Sequence, residues 1–278
     1  MKKTRTLTTA FLILALLLCL QACAIRPMTA PVLLAQMRRA VEEQNAAEAE
    51  ILIETKAQVS YSGMDFSLPM KIKMSGGSRF APYTAKMNGT VGSSILGVDV
   101  ELPVEIYASA ENEQADLFFR VDNGAWSRSS LSLGEPWQKM LAGIGLSADM
   151  ISDAVLYEGT TLSDGRECRR IDVKLQGKTW NELFGQTDDL SEKEQNASSD
   201  GLTMEMSLYI DAETMLPVHI SARTDKSLKM MEYTLNDLKV EIAYSRWGAP
   251  ESIEIPPEAR TAASAAETAA GRIPGIIY

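Results

Sequence analysis

The chain contains a single histidine among 278 residues. That excludes a metal centre built on two imidazoles and leaves little acid–base chemistry near neutral pH. Chemical signatures are missing too. There is no G-x-S-x-G nucleophile elbow, no G-x-x-x-x-G-K-[ST] phosphate loop, no H-E-x-x-H helix and no D-x-D-x-D-G calcium loop. The sequence therefore assigns no catalytic residue, no metal and no cofactor, and the chain is expected not to be an enzyme. Basic residues are in deficit, 27 against 37 acidic, for a net charge of −10. Nothing would offset phosphate repulsion, which removes nucleic acid from the expected partners. No apolar run reaches the ~18 residues that a membrane-crossing helix needs. The rest of the composition, 45% apolar with 18 Gly and 11 Pro, is that of an ordinary globular protein.

Cysteine is equally scarce, and its three positions order the N-terminal reading. Lys2, Lys3 and Arg5 form a basic head before the apolar run Ala10–Leu20. Eleven helical residues span only ~16 Å against a ~30 Å hydrocarbon core, the pattern of an export signal. The run ends in Leu20-Gln21-Ala22-Cys23, which resembles the bacterial lipobox. That resemblance implies a signal peptide over 1–22, cleavage before Cys23, and acyl chains such as palmitate on its sulfur and amino group. Several chains on one residue anchor stably, since each buried CH₂ contributes about 0.8 kcal/mol. The expected location is the cell membrane, lipid-anchored and facing out of the cytoplasm, with residues 23–30 as a tether. Cys19 would leave with the signal and Cys23 would carry lipid, so only Cys168 remains and no intramolecular disulfide can form. Losing 1–22 also takes three basic residues and no acidic one, leaving −13. An acidic body of that kind is expected to stand off an anionic bilayer.

After the tether the pattern turns structural. Pro31 suits a first helical turn, and Leu33, Leu34, Met37 and Val41 follow helical spacing, predicting a helix to about Ala49. The period then changes to two. Met64, Phe66, Leu68, Met70, Ile72 and Met74 alternate with polar residues, as do Val98 to Ile106, Ile171 to Leu175, Met204 to Ile210 and Leu238 to Tyr244. Clean alternation predicts strands with one covered and one wet face, which is the antiparallel pattern. Pro69 on the polar side suggests an edge or a bulge. Asp122-Asn123-Gly124, Ser163-Asp164-Gly165 and Asp211–Thr214 read as hairpin turns. About eleven strands follow: 50–61, 64–75, 83–95, 98–110, 115–122, 125–131, 153–162, 166–176, 201–211, 216–224 and 230–247. Helical pieces are expected at 136–144 and 179–184, and an acidic loop at 186–201. One domain over 31–257 and a loose Ala-rich tail over 258–278 complete the reading.

The order of lipobox, tether, helix and antiparallel strands, with the segments FFRVDNGAWSRSS, SLYIDAETMLPVHI and VEIAYSRWGAPESIEIPPEA, resembles the LolA-like and LppX-like lipoprotein-carrier superfamily. The resemblance implies an α+β, mainly antiparallel fold: a curved, incomplete half barrel with a few helices covering its concave face. It also implies a hydrophobic cavity for a lipid or acyl-chain ligand. It carries no site residue over to this sequence and identifies no protein partner.

Methionine supplies the site candidates. Of 14 in the chain, Met64, Met70, Met74, Met204 and Met206 fall on apolar strand faces, with Phe66 among them. Methionine adapts to varied apolar partners, so these six residues are the expected cavity lining; filling a solid core is the alternative. The alternative function is an envelope interaction or sensor lipoprotein with such a core and no ligand. His219 is expected in a structural or surface role. Cys168 sits near Arg166, Arg169 and Arg170, which could activate a thiol, although a plain strand cysteine is the simpler reading. Asp99, Glu101 and Glu105 read as one solvated strand face.

Overall fold

The computed structural model describes residues 28–61, 64–95, 98–111, 114–132, 154–162, 164–176, 203–230, 233–248 and 252–262. Twelve strands form one antiparallel sheet: β1 (Ala46–Tyr61), β2 (Met64–Phe80), β3 (Tyr83–Ile95), β4 (Val98–Glu111), β5 (Gln114–Val121), β6 (Ser127–Ser132), β7 (Val155–Thr161), β8 (Glu167–Gln176), β9 (Thr203–Asp211), β10 (Pro217–Thr224), β11 (Leu228–Met230) and β12 (Tyr233–Trp247). Their order across the sheet is β6-β5-β4-β3-β2-β1-β12-β10-β9-β8-β7, with β11 pairing β12 off that path. The sheet is curved and open, a half barrel with edges at β6 and β7. Two helices are found among the described residues, α1 (Ala30–Glu42) and α2 (Pro257–Arg260).

The register turns the alternating sequence into two faces. Directly paired residues share a face. On one face, Leu208 lies against Ile220, Ile220 against Ile242, Ile242 against Ile51, Ile51 against Met74, and Gly89 continues the row to Val104. The opposite face carries charges in facing pairs, Lys71–Glu54 at 2.6 Å, Arg120–Glu105 at 2.6 Å and Arg223–Glu205 at 2.5 Å, and in one diagonal pair, Arg128–Asp116 at 2.8 Å. Curvature has a local cause at two glycines. A Cβ on Gly76 or Gly89 would overlap the carbonyl oxygen of Lys86 or Lys73 on the neighbouring strand, so β2 and β3 crease together where only glycine fits.

α1 covers one half of the apolar face. Leu33, Leu34, Met37 and Val41 pack on Ile171, Val173, Leu175, Met204, Leu208, Ile210 and Ala222, and Leu33, Ile171, Leu208 and Ile210 have no exposed surface. On the polar face, at the other end of the sheet, Ile255 and Ala259 pack against Tyr107 and Phe118, with Ile253 and Trp126 beside them. Ala259 is fully buried, so packed chain continues past the expected boundary at 257.

Several local expectations change. The α1 helix ends at Glu42, not near Ala49. Ala46 to Ala49 carry helix-forming side chains, but they pair with β2 on one side and Ala47 to Ala49 with β12 on the other. Two ladders outweigh intrinsic propensity. The run 230–247 divides into β11 and β12, whose ends pair at Met230 and Tyr233. Pro69 lies on an interior strand, not an edge; it faces Lys56 of β1, while the pairing of β2 with β3 starts at Met70. The missing N–H thus costs no rung to β3. The expected helical pieces at 136–144 and 179–184, the loop 186–201, the signal and lipobox, and the tail from 263 lie outside the described residues.

Turn chemistry matches the sequence. Asp122 and Asn123 adopt φ of 50° and 54°, the two left-handed positions of a type I′ hairpin turn, and the Gly124 N–H donates to the Val121 carbonyl at 2.9 Å. In the β9–β10 turn the Asp211 carboxylate accepts the Thr214 N–H at 2.7 Å, the Thr214 hydroxyl at 2.9 Å and the Glu213 N–H at 3.1 Å. Partial burial raises the Asp211 pKa, but these donors outweigh it and hold the carboxyl below its usual value.

Candidate functional site

The six residues expected to line a cavity fall into two groups. Their strand positions lie on the apolar face, since Met204, Met206 and Leu208 oppose Leu175, Val173 and Ile171, while Phe66, Met70 and Met74 oppose Val59, Thr55 and Ile51. Three strands stand between β9 and β2, which separates the groups by roughly 19 Å at ~4.8 Å per strand. Met204 is 4% exposed and Met206 half-buried, both under α1, where the space is filled. Met74 is buried, Met70 half-buried and Phe66 45% exposed. Met64 pairs with Tyr61 at the end of β2. The sheet therefore does not bring the methionines together around one point.

The β2 group does gain neighbours that sequence reasoning left unassigned. Met70 opposes Ser93, which opposes Val100; Ile72 opposes Val91, which opposes Leu102. Val98 and Val121 share this face. All four β4 and β5 residues are large, apolar and exposed: Val98 64%, Val100 40%, Leu102 38% and Val121 40%. Together with Phe66 they leave an apolar surface on β2–β5 that α1 does not reach. Their alternation was visible in the sequence. What connects them to Phe66 and Met70 is the register of β2, β3 and β4, which alternation alone does not supply.

Three open clefts of about 480, 400 and 600 Å³ lie along β1, β2 and β3. Most of their lining comes from the polar face. The first places His219 and Glu241 beside Glu50 and Lys73. The 600 Å³ cleft adds Met70 and Val100 to Lys71, Glu54 and Glu101. Asp99, Glu101 and Glu105 do line one face of β4, but they do not converge. Glu101 accepts the Thr90 hydroxyl at 2.5 Å, and Glu105 accepts Arg120 and the Tyr107 hydroxyl. Among the described residues there is no group of three or more His, Cys, Asp or Glu able to hold a metal ion, and no helix is long and apolar enough to cross a membrane.

Two further residues are placed by packing. His219 opposes Tyr209 on the polar face, ring centroids 5.4 Å apart. Tyr209 and Tyr157 flank Arg170, which donates to Asp172 at 2.6 and 2.5 Å, and the Ser207 hydroxyl donates to the same carboxylate at 2.7 Å. Burial alone would raise the Asp172 pKa; the Arg170 and Ser207 donors outweigh it and keep the carboxyl low. Cys168 is fully buried. Burial and the nearby Asp211 carboxylate push its thiol up, and Arg166 acts the other way but more weakly, so the simpler reading of a plain strand cysteine stands.

No family model matches the sequence, and no curated protein matches it. Solved structures do show a likeness. A DUF1329 family protein from Desulfovibrio piger aligns over 81% of this chain and 96% of its own, at 10% identity and a TM-score of 0.28. A LolA superfamily protein from Nitrosomonas europaea aligns over 82% and 96%, at 9% identity and a TM-score of 0.23. A putative outer membrane lipoprotein-sorting protein domain from Vibrio parahaemolyticus aligns over 79% and 92%, at 8% identity and a TM-score of 0.24. At such scores the likeness carries nothing about ligand, partner or location; the chain is similar to LolA superfamily, lipoprotein-sorting and DUF1329 proteins, and no sequence family is shown.

Proposed function

We propose that the protein is a lipid-anchored envelope lipoprotein of LolA-like type that holds an acyl chain or other apolar ligand on the uncovered half of its apolar face. The carrying observation is the surface of Phe66, Val98, Val100, Leu102 and Val121 on β2–β5. Contiguous exposed apolar patches of this kind mark binding sites. The lipobox-like Leu20-Gln21-Ala22-Cys23 supports the anchor. Met70 and Met74 supply adaptable side chains at the inner border of the patch. We place no catalytic step on the protein.

The test is extraction of lipid from the purified full chain, followed by native mass spectrometry and uptake of a fluorescent fatty acid. A co-purifying lipid lost on Leu102→Asp supports the reading. No lipid and no uptake removes it. A second reading, an interaction or sensor protein with a solid core, is favoured by the filled space under α1, where Met204 and Met206 lie. It expects neither lipid nor uptake, and a partner bound independently of Leu102.

A further inference from the structure

The polar face of the sheet carries a hollow that the acyl-chain reading leaves unused. One row of directly paired residues crosses this face through Tyr157, Arg170, Tyr209, His219, Ala243, Glu50, Ser75 and Asn88. The row begins as a stack. The Arg170 guanidinium lies 5.2 Å from the Tyr157 ring centre and 5.8 Å from that of Tyr209, and the Tyr209 and His219 rings are 5.4 Å apart at 32°. Two hydrogen bonds to Asp172 hold the guanidinium in place. One side of the His219 ring is therefore fixed by its neighbours.

On the other side the next residue is Ala243, whose methyl group is too small to cover an imidazole. Glu50 follows one strand later, so His219 and Glu50 face each other across two strand spacings, roughly 10 Å, over a floor of one methyl group. In the adjacent row the half-buried Leu52 separates Glu241 from Lys73 and adds a second apolar group to the floor. These small and apolar positions among long polar ones open the cleft of about 480 Å³. The charges bordering it are paired, Lys71 with Glu54 and Glu241 with Lys239, each at 2.6 Å. Among the described residues, Glu50, Lys73, Asn88 and His219 have no side-chain hydrogen bond or ion pair, although all of them line the cleft.

That chemistry selects an occupant. The floor is apolar, one wall is a flat ring, and the rim holds a carboxylate, an ammonium and an amide. An acyl chain would leave the rim unanswered. A phosphate group would meet Glu50 and Glu241 on a chain of net charge −10. A pyranose ring has apolar C–H faces and a rim of hydroxyls, each both donor and acceptor. The cleft volume falls within the range of about 300–1,000 Å³ that small-molecule sites occupy. We propose that this cleft binds a neutral saccharide, with a ring face against His219 and Ala243 and hydroxyls bonded to Glu50, Lys73 and Asn88. The site lies on the opposite face from the acyl-chain patch and does not depend on it.

His219 is the only histidine, so a single imidazole resonance reads the site. The experiment titrates the isotopically labelled full chain with methyl glucoside, methyl N-acetylglucosaminide and cellobiose. The expected result is a saturable shift of that resonance with at least one sugar at millimolar or lower concentration. Glu50→Gln should weaken binding about ten-fold through loss of a charge-assisted hydrogen bond. Ala243→Leu should abolish it by filling the floor. Both positions are exposed on the wet face, so the melting temperature should stay at its original value in each. Leu102→Asp should leave the sugar shift intact whether or not it removes lipid, which separates this site from the acyl-chain reading. No saturable shift with any of these sugars would overturn the proposal, as would an unchanged shift in Ala243→Leu. A shift with glycylglycine and none with sugar would give the cleft to a zwitterion and also overturn it.

Discussion

Met204 and Met70 are the same residue type on the same face, and their surroundings separate them. Met204 is 4% exposed between α1 and β8, so Met204→Ala leaves a cavity and should cost about 2–5 kcal/mol. Met70 is half-buried at the edge of the uncovered patch, so Met70→Ala should cost no more than about 1 kcal/mol while weakening lipid retention. Urea unfolding of both variants, paired with lipid extraction, checks the contrast; equal destabilisation would mean that both halves of the face are equally filled. Gly89 makes the opposite case. Gly89→Ala adds one methyl group, yet its Cβ meets the Lys73 carbonyl oxygen, so the creased β2–β3 pair must open. A loss of about 1–3 kcal/mol is expected from overpacking in the same urea measurements.

At the scale of elements, alternation placed β2, β4, β8, β9 and the end of β12, because one covered face and one wet face write a period of two into each, and turn residues bounded the other strands. It also put Met74 on the apolar side before any register was known. Just before the Leu238–Tyr244 run, parity itself breaks. Asp237 takes φ of 53° within β12, and Leu235 and Leu238, three residues apart, both reach the apolar face. Alternation failed at Ala46–Ala49, where only the two neighbouring ladders reveal a strand. The division of the apolar face into a half filled by α1 and a half left open was not legible at all, since it depends on where a helix lies against strands distant in sequence. α1 offers its own test. Val32 is 45% exposed in the first turn, where the helix dipole favours an anion, whereas Leu33 is fully buried on Ile171 and Leu208. Val32→Asp should leave stability within about 0.5 kcal/mol, and Leu33→Asp should lower it by several kcal/mol through a buried unpaired charge. Similar melting temperatures for the two would place α1 on a different face.

For the whole molecule, the charge distribution predicts a stability dome in pH with a different residue behind each limb. Asp172 and Asp211 are held below the usual carboxylate value by Arg170, Ser207 and the donors of the β9–β10 turn, although burial opposes the shift. In the unfolded chain their pKa returns to about 3.9. Just below that pH the unfolded state binds more protons than the folded one, so the stability they contribute is complete above about pH 4 and is lost as pH falls through the folded values. On the alkaline side, burial against Trp247 pushes the Tyr244 phenol up to about 12, and burial raises Tyr83 as well. The unfolded phenols ionise near pH 10, so the unfolded state gains stability from there upward while the folded state still holds its protons. The Cys168 thiol, also pushed up by burial, ionises at about pH 8.5 once unfolded, so folding free energy from urea titrations should be flat between about pH 5 and 8 and decline outside that window. Asp172→Asn with Asp211→Asn should lower the plateau and flatten only the acid limb. Tyr244→Phe should lessen only the alkaline decline, with Tyr83 and Cys168 carrying the rest. An alkaline decline unchanged in Tyr244→Phe would show that this phenol is hydrated, and that the corner where Trp247 meets the end of α1 is open to water.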